Sequence, residues 1–256
     1  MTFFKTGEPD TLAFDLLPAH RKYELRQARY VEMIPALGDH LAKLGSEARV
    51  LDIGSGMAES KIVLDTVAPS AEWTGVELSP ERVIECNRRG YSHIVDDVNL
   101  EQSPLPFAND SFDVVIGSHI LEHLTNSQQA FADWYRVLKP GGLMLIGVPM
   151  HIVLVSWIMR LKYRLFGRRP FQHCVFFSMP SLERFLHGYQ VVRIWGFRFF
   201  SARRQLPLED YRWFYRLSMW VGRHFPNLTQ EVNVVVRKPL KESDLSQARG
   251  RLPTLG

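Results

Sequence analysis

The chain has 256 residues, 46% of them apolar and 23% charged, with a formal net charge of +4. This is an ordinary globular composition, with no repeat or low-complexity tract, and the length suits one large core or one core with an appended lobe. The two cysteines, Cys86 and Cys174, suit a reducing compartment and have no metal-ligand spacing, so no metal is expected. The start, MTFFKTGEPD, lacks the basic-then-apolar pattern of a secretory signal, so a cytoplasmic location is expected.

The charge is unevenly spread. Residues 1–149 carry 13 Lys/Arg against 21 Asp/Glu, whereas residues 150–225 carry 13 against 3 and hold 18 of the 30 aromatic residues. An acidic body therefore bears a basic, aromatic lobe.

In chain order, the first ten residues are expected to be loose. From Pro18 to Leu44 apolar residues recur at helical spacing, with Pro35 expected to kink or break the pattern. Residues 1–48 thus read as an N-terminal helical cap, in which Tyr23 and Tyr30 either pack on the core or touch a ligand.

Next comes RVLDIGSGMA (49–58), an apolar strand running into a turn of small residues. Gly54 and Gly56 permit positive φ and close backbone approach, and the turn feeds a helix over 58–67 whose first N–H groups are expected to point at whatever lies over the glycines. Asp52 is a carboxylate in an apolar strand, awkward unless a polar or cationic group meets it. A second strand (72–77) ends in another acid, Glu77, placed as acids at that strand tip are for ribose hydroxyls in doubly wound sheets. A helix from Pro80 to Arg89 and a strand over 92–96 follow. Further strands are predicted at 112–118 and 143–148, separated by a helix over 127–138 that Lys139-Pro140-Gly141-Gly142 should stop. Short strands alternating with helices are the pattern of parallel βαβ units.

Residues 141–159 contain no charged side chain, yet Gly141, Gly142, Gly147 and Pro149 argue against a membrane span, and the first half is needed as the fifth strand. The following run couples apolar residues to Arg160, Lys162, Arg164, Arg168 and Arg169. It reads equally as an interfacial helix on an anionic membrane surface and as a lid over a substrate pocket. Beyond it come a helix (179–187), a strand (190–196), an aromatic and basic helix (207–225) and a last strand (231–236). The residues after 239 are expected to be a disordered polar tail.

DIGSGMA, TGVELS, the run from Val95 through SHILEHL, and RVLKPGG together resemble the class I S-adenosylmethionine-dependent methyltransferases, in their small-molecule and lipid branch. The resemblance covers 49–149. It departs at Ala58, where the family usually has the last glycine of its glycine-rich motif. The implied fold is α/β, a Rossmann-like doubly wound seven-stranded sheet whose last strand is antiparallel. A cofactor core (49–149) carries the basic aromatic lobe (150–225, sixth strand included) and a final strand (226–239).

The resemblance implies S-adenosyl-L-methionine as cofactor. Asp52, Gly54, Ser55 and Gly56 would then hold its methionine end and Glu77 its ribose. Asp97, with the N–H of Val98, would hold the adenine in preference to Asp96, and Ser118 and His119 would lie beside the sulfonium. For a base that takes a proton from the acceptor, His119 and His151 follow the fourth and fifth strands, where parallel sheets bind ligands. His123, after Glu122, and His173 are weaker candidates. The expected activity is methyl transfer to a small-molecule or lipid-linked acceptor, with docking on an anionic membrane surface as an added reading.

Three alternatives remain. A nicotinamide dehydrogenase is disfavoured by Glu59 where its glycine motif needs a small residue. An RNA methyltransferase fits the basic lobe, but Gly117-Ser118-His119-Ile120 stands where base-amine methyltransferases carry a proline-rich tetrad, so nucleic acid is not the favoured partner. A non-catalytic binding protein of the same fold is the third.

Overall fold

The computed structural model describes residues 11–19, 21–151, 157, 158, 161, 162, 164, 165, 173–199 and 207–240. Its strands are β1 (Arg49–Ile53), β2 (Glu72–Val76), β3 (His93–Val95), β4 (Phe112–Ser118), β5 (Leu138–Pro149), β6 (Gln190–Phe197) and β7 (Glu231–Arg237). They form one seven-stranded sheet, as the resemblance implied, in the order β3-β2-β1-β4-β5-β7-β6. All neighbours from β3 to β5 are parallel, and β7 runs antiparallel to both β5 and β6. Because β1 and β4 lie centrally and are buried on both faces, they read as continuous apolar runs rather than alternating ones.

The helices are α1 (Thr11–Asp15), α2 (Ala28–Val31), α3 (Ile34–Leu44), α4 (Glu59–Leu64), α5 (Pro80–Arg88), α6 (Ser127–Val137), α7 (Met179–Phe185) and α8 (Arg212–His224). On one face of the sheet Val50, Val114, Ile116, Leu145 and Val235 pack with Leu37 and Leu41 of α3 and with Phe214 and Met219 of α8. On the other, Leu51, Val115, Met144, Ile146 and Val234 pack with Phe131 and Trp134 of α6 and Leu182 of α7. Each fully buried aliphatic side chain contributes about 1.5–3 kcal/mol, so the two layers hold the sheet rigid beneath the loops at its C-terminal edge.

The N-terminal segment is tied down by polar contacts with the segment just before α8. The N–H of Tyr23 donates to the carbonyl of Glu209, that of Leu25 to the Glu209 carboxylate, and Arg21 pairs with Asp210 at 2.7 Å. Tyr23 packs against Phe14 and stacks on Tyr215, which makes it a core residue. α8 crosses β6 at a glycine pair. A Cβ on Gly222 would lie 1.8 Å from the Gly196 carbonyl oxygen, so only glycine allows this approach.

Several local expectations differ. Pro35 sits in the first turn of α3 and starts that helix instead of kinking it, since its missing N–H costs nothing there. α4 ends at Leu64, before the expected 67; Thr66 turns its hydroxyl back to the Val63 carbonyl, and Pro69 follows. Lys139 to Gly142 do not form a loop: β5 begins at Leu138, directly out of α6, with a register irregularity between Phe112 and Val114 of β4. Lys238 braces that junction by donating to the carbonyls of Tyr135, Arg136 and Leu138. The helical pattern read from Pro18 becomes helix only at Ala28, residues 21–27 being turns and bends, and the helix read from 207 starts at Arg212, after a short 3-10 turn; the remaining boundaries agree with expectation to within a few residues. Most of the segment read as an interfacial helix, the first ten residues and the polar tail lie outside the described residues. Of that segment, residues 157, 158, 161, 162, 164 and 165 are helical, with Trp157, Ile158, Leu161 and Leu165 exposed.

Candidate functional site

The turn after β1 takes the left-handed backbone that its small residues permit: φ is +68° at Gly54, +57° at Gly56 and +66° at Ala58. A Cβ on Gly54 would lie 2.2 Å from Cδ1 of Ile120, so the Ile120 side chain rests on the turn backbone. The N–H groups of the turn itself already have acceptors. Gly54 and Ser55 donate to the Val76 carbonyl, Gly56 to Glu77 Oε2 at 3.0 Å, and Met57 to Glu59 Oε2 at 3.0 Å.

Glu77 is the hinge of this arrangement. It is buried, its Oε1 accepts the Ser79 N–H at 2.9 Å, and Arg82 stands 3.7 Å from its Oε2. Glu77 lines a cleft of about 430 Å³ together with Gly54, Leu78, Val98, Ile120 and Leu124. Val98 and Asn99 belong to the wall, whereas Asp96 and Asp97 are exposed and are not among the lining residues.

Asp52 lies deeper, at 2% exposure, with its Oδ2 accepting the Tyr91 hydroxyl at 2.8 Å. Burial pushes its carboxyl up to about 7, against the Tyr91 hydrogen bond and helped by the nearby Glu59 charge. The Tyr91 hydroxyl is pushed up in turn by its own burial and by Asp52. Ser55 is buried beside them, its hydroxyl turned to the Asp52 carbonyl.

Beyond the end of β4 stands a charged node. His119 has a left-handed φ of +59° and donates its backbone N–H to the Gly147 carbonyl. Its Nδ1 lies 3.1 Å from Glu122 and its Nε2 3.1 Å from Glu231. Burial opposes a charge on the ring, but the two carboxylates outweigh it and the pKa is raised. With both nitrogens occupied, His119 in this arrangement has no free lone pair with which to accept a proton. Glu231 also pairs with Arg29 of α2 at 2.8 Å and with Arg198, and these cations with His119 hold its carboxyl at about 2 despite burial.

Ser118, beside His119, has a buried hydroxyl without a hydrogen-bond partner among the described residues. It shares that state with Asn233 Oδ1. Both atoms lie within 3 Å of where a Gly147 side chain would begin, so the missing side chain leaves a polar recess under the node.

His151 follows β5 at the wall of a second cleft of about 520 Å³, which also takes in Met150, Arg198, Gln230 and Glu231. Its Nε2 is buried without a partner among the described residues, and burial lowers its pKa, so the ring is neutral and retains a basic nitrogen. Glu231 belongs both to this cleft and to the charged node. Neither Glu231 nor Arg29 could be singled out in the sequence; the one faint signal is an acid opening an otherwise apolar last strand.

Residues 51–146 match the family described as "Methyltransferase domain". Over that stretch, somewhat more than a third of its length, the chain is similar to that family. Among curated relatives, the 27-O-demethylrifamycin SV methyltransferase of Amycolatopsis mediterranei is 34% identical over 135 residues, covering 50% of this chain and 49% of its own length. A ubiquinone/menaquinone biosynthesis C-methyltransferase of Desulfotalea psychrophila is 30% identical over 104 residues, covering 40% and 42%. The chain therefore spans about half the length of the curated relatives it matches. A solved S-adenosylmethionine-dependent methyltransferase from Aquifex aeolicus superposes with a TM-score of 0.50 at 14% identity, covering 89% of this chain and 97% of that one, which is a likeness of fold.

The matched stretch contains the glycine turn, Asp52, Glu77, Val98 and His119. Arg29, His151, Arg198 and Glu231 lie outside it, so the charged node and the second cleft are built jointly by that stretch and the segments flanking it.

Proposed function

We propose that this protein transfers a methyl group from S-adenosyl-L-methionine to a small-molecule acceptor. The observation that carries the reading is Glu77: a buried carboxylate at the tip of β2, facing the Gly54–Gly56 turn and lining a cleft. The residues fit that cofactor, with an acid for the ribose hydroxyls, a glycine floor, and apolar walls at Leu78, Val98 and Leu124 for a flat base. When bound, the cofactor supplies a methyl group on a sulfonium, already activated for in-line displacement.

The chain's own residues then bind, orient and exclude water. Glu77 takes the ribose, Asp52, Ser55 and the turn backbone face the cationic methionine end, and the Val98 N–H borders the adenine. Ser118 and His119, at the end of β4, would lie beside the sulfonium. His151, at the wall of the second cleft, is the candidate to take a proton from a hydroxyl or amine once its buried Nε2 is reached by the acceptor, a role for which His119 is less suited because its nitrogens are taken. Two relatives carry names in rifamycin and in ubiquinone/menaquinone chemistry, which supports an apolar oxygenated acceptor, lipid-linked ones included.

Calorimetric titration of the whole chain with S-adenosylmethionine tests the reading. One molecule should bind per chain, and Glu77→Ala should weaken binding at least tenfold, the loss of a buried charge-assisted pair of hydrogen bonds. An absence of heat with the unaltered chain, under conditions where it is folded, would remove the reading.

A second feature supports action at a membrane surface. No helix of the described residues is long and apolar enough to cross a membrane. α8, however, exposes Trp213, Leu217 and Trp220 in one stripe flanked by Arg212 and Arg216, the composition of a helix that lies on anionic lipid. Vesicles containing anionic phospholipid should sediment with the chain, and Trp213→Ala with Trp220→Ala should release it. Equal sedimentation of both proteins would refute a role for this stripe.

A further inference from the structure

Glu122, His123 and His173 present ligand atoms that all lie within 4.8 Å of one another. Glu122 and His123 come from the single turn that follows β4, and His173 from the segment leading to α7. The two segments are fastened together by backbone: the N–H groups of Cys174 and Val175 donate to the Glu122 carbonyl at 2.6 and 3.1 Å, and the Cys174 thiol lies 3.2 Å from the His123 carbonyl. His123 Nε2 stands 4.0 Å from Glu122 Oε1, and the two imidazole rings are 4.9 Å apart at 77°.

An independent observation points to a ligand. Glu122 is 1% exposed, yet its Oε2 has no hydrogen-bond partner among the described residues. A buried carboxylate oxygen left unmatched is costly. The other oxygen is held by His119, which fixes the carboxylate's orientation, as such partners do in metal sites.

We infer that Glu122, His123 and His173 form a site for a divalent transition metal of the Zn²⁺ class. Two imidazoles and one carboxylate suit Zn²⁺ and its first-row neighbours, whereas Mg²⁺ and Ca²⁺ prefer oxygen ligands alone. Ligand bonds of about 2.0–2.2 Å require the three atoms to close inward by roughly 1 Å, within the reach of side-chain rotation. Three protein ligands leave a position open. His123 also lines the cleft with Glu77 and Gly54, so the site borders that cleft.

Resting on the methyltransferase reading, the site would take an oxygen donor of the acceptor. A hydroxyl bound there gives its proton to solvent; its oxygen lone pair then forms the O–C bond as the C–S bond breaks, with the electron pair leaving on sulfur.

The test uses the chelator-treated whole chain and metal alone. Titration with Co²⁺, followed by visible absorbance, should show one ion per chain with the intense bands of a four- or five-coordinate site, displaced by Zn²⁺. His173→Ala and Glu122→Gln should each weaken Co²⁺ binding at least tenfold, while His173→Ala, being half-exposed, keeps the fold by circular dichroism. Absorbance no stronger than that of hydrated Co²⁺, or unchanged affinity in folded His173→Ala, would overturn the proposal. Calorimetry with S-adenosylmethionine on His173→Ala separates the two readings: cofactor binding should persist when metal binding is lost.

Discussion

Replacing Glu231 by alanine is expected to lower the stability of the fold by about 3–5 kcal/mol, the usual cost of removing one member of a buried charge cluster. Its carboxylate is 3% exposed and is shared by Arg29, Arg198 and His119, drawn from α2, the end of β6 and the end of β4. Removing it leaves two guanidiniums and an imidazole without their shared counter-ion. Glu231→Gln should also destabilise, because an amide cannot satisfy several donors at once. Its folded pKa of about 2 lies below the ordinary glutamate value, so its contribution is complete above about pH 4.3 and fades as pH falls towards 2. Denaturant midpoints at pH 7 measure the effect; a shift worth under about 1 kcal/mol for Glu231→Ala would show the cluster to be structurally idle.

Asp52→Asn should act in the opposite direction and stabilise the ligand-free protein. The folded pKa of about 7 exceeds the unfolded value of about 3.9, so the native state holds the extra proton between those limits. Stability therefore falls as pH rises from 4 to 7 and stays low above that, a loss of about 4 kcal/mol from this one group. Asparagine never ionises and still accepts the Tyr91 hydrogen bond. The difference between the two proteins should be largest at pH 8 and disappear near pH 4, and thermal melts across that range measure it. Equal melting temperatures at pH 8 would mean that the buried carboxylate carries no such strain. A stabilised but poorly binding Asp52→Asn protein is what a residue kept for its ligand rather than for its fold should yield.

Where local pattern and tertiary context agree, the structure was readable in advance. β1, β4 and β7 are apolar runs because both faces of the sheet are covered, and Gly54 and Gly56 occupy the left-handed turn they permit. Pro35 was misjudged because the same ring that breaks a helix interior is well placed in its first turn. The Lys139 to Gly142 stop was read correctly for α6 but concealed that β5 starts without a loop. Asp52 stood out in the sequence; its partner Tyr91 did not, as nothing local links residues 39 positions apart. The contact of Glu231 with Arg29 joins the two ends of the described chain and exists only once the sheet has formed. Likewise, Glu122 and His123 were legible as neighbours in SHILEHL, but their meeting with His173 depends on a backbone brace fifty residues away.

The position of β7 between β5 and β6 has a consequence during synthesis. The five parallel strands are complete once residue 149 has been made, yet the hydrogen-bonding edge of β5 stays open until residues 231–237 arrive to fill it. For that interval the nascent chain presents an unpaired apolar edge, and Arg29 and His119 wait without their shared counter-ion. The strand that seals the edge also delivers the missing carboxylate, so assembly of the sheet and neutralisation of its buried charges are a single late event.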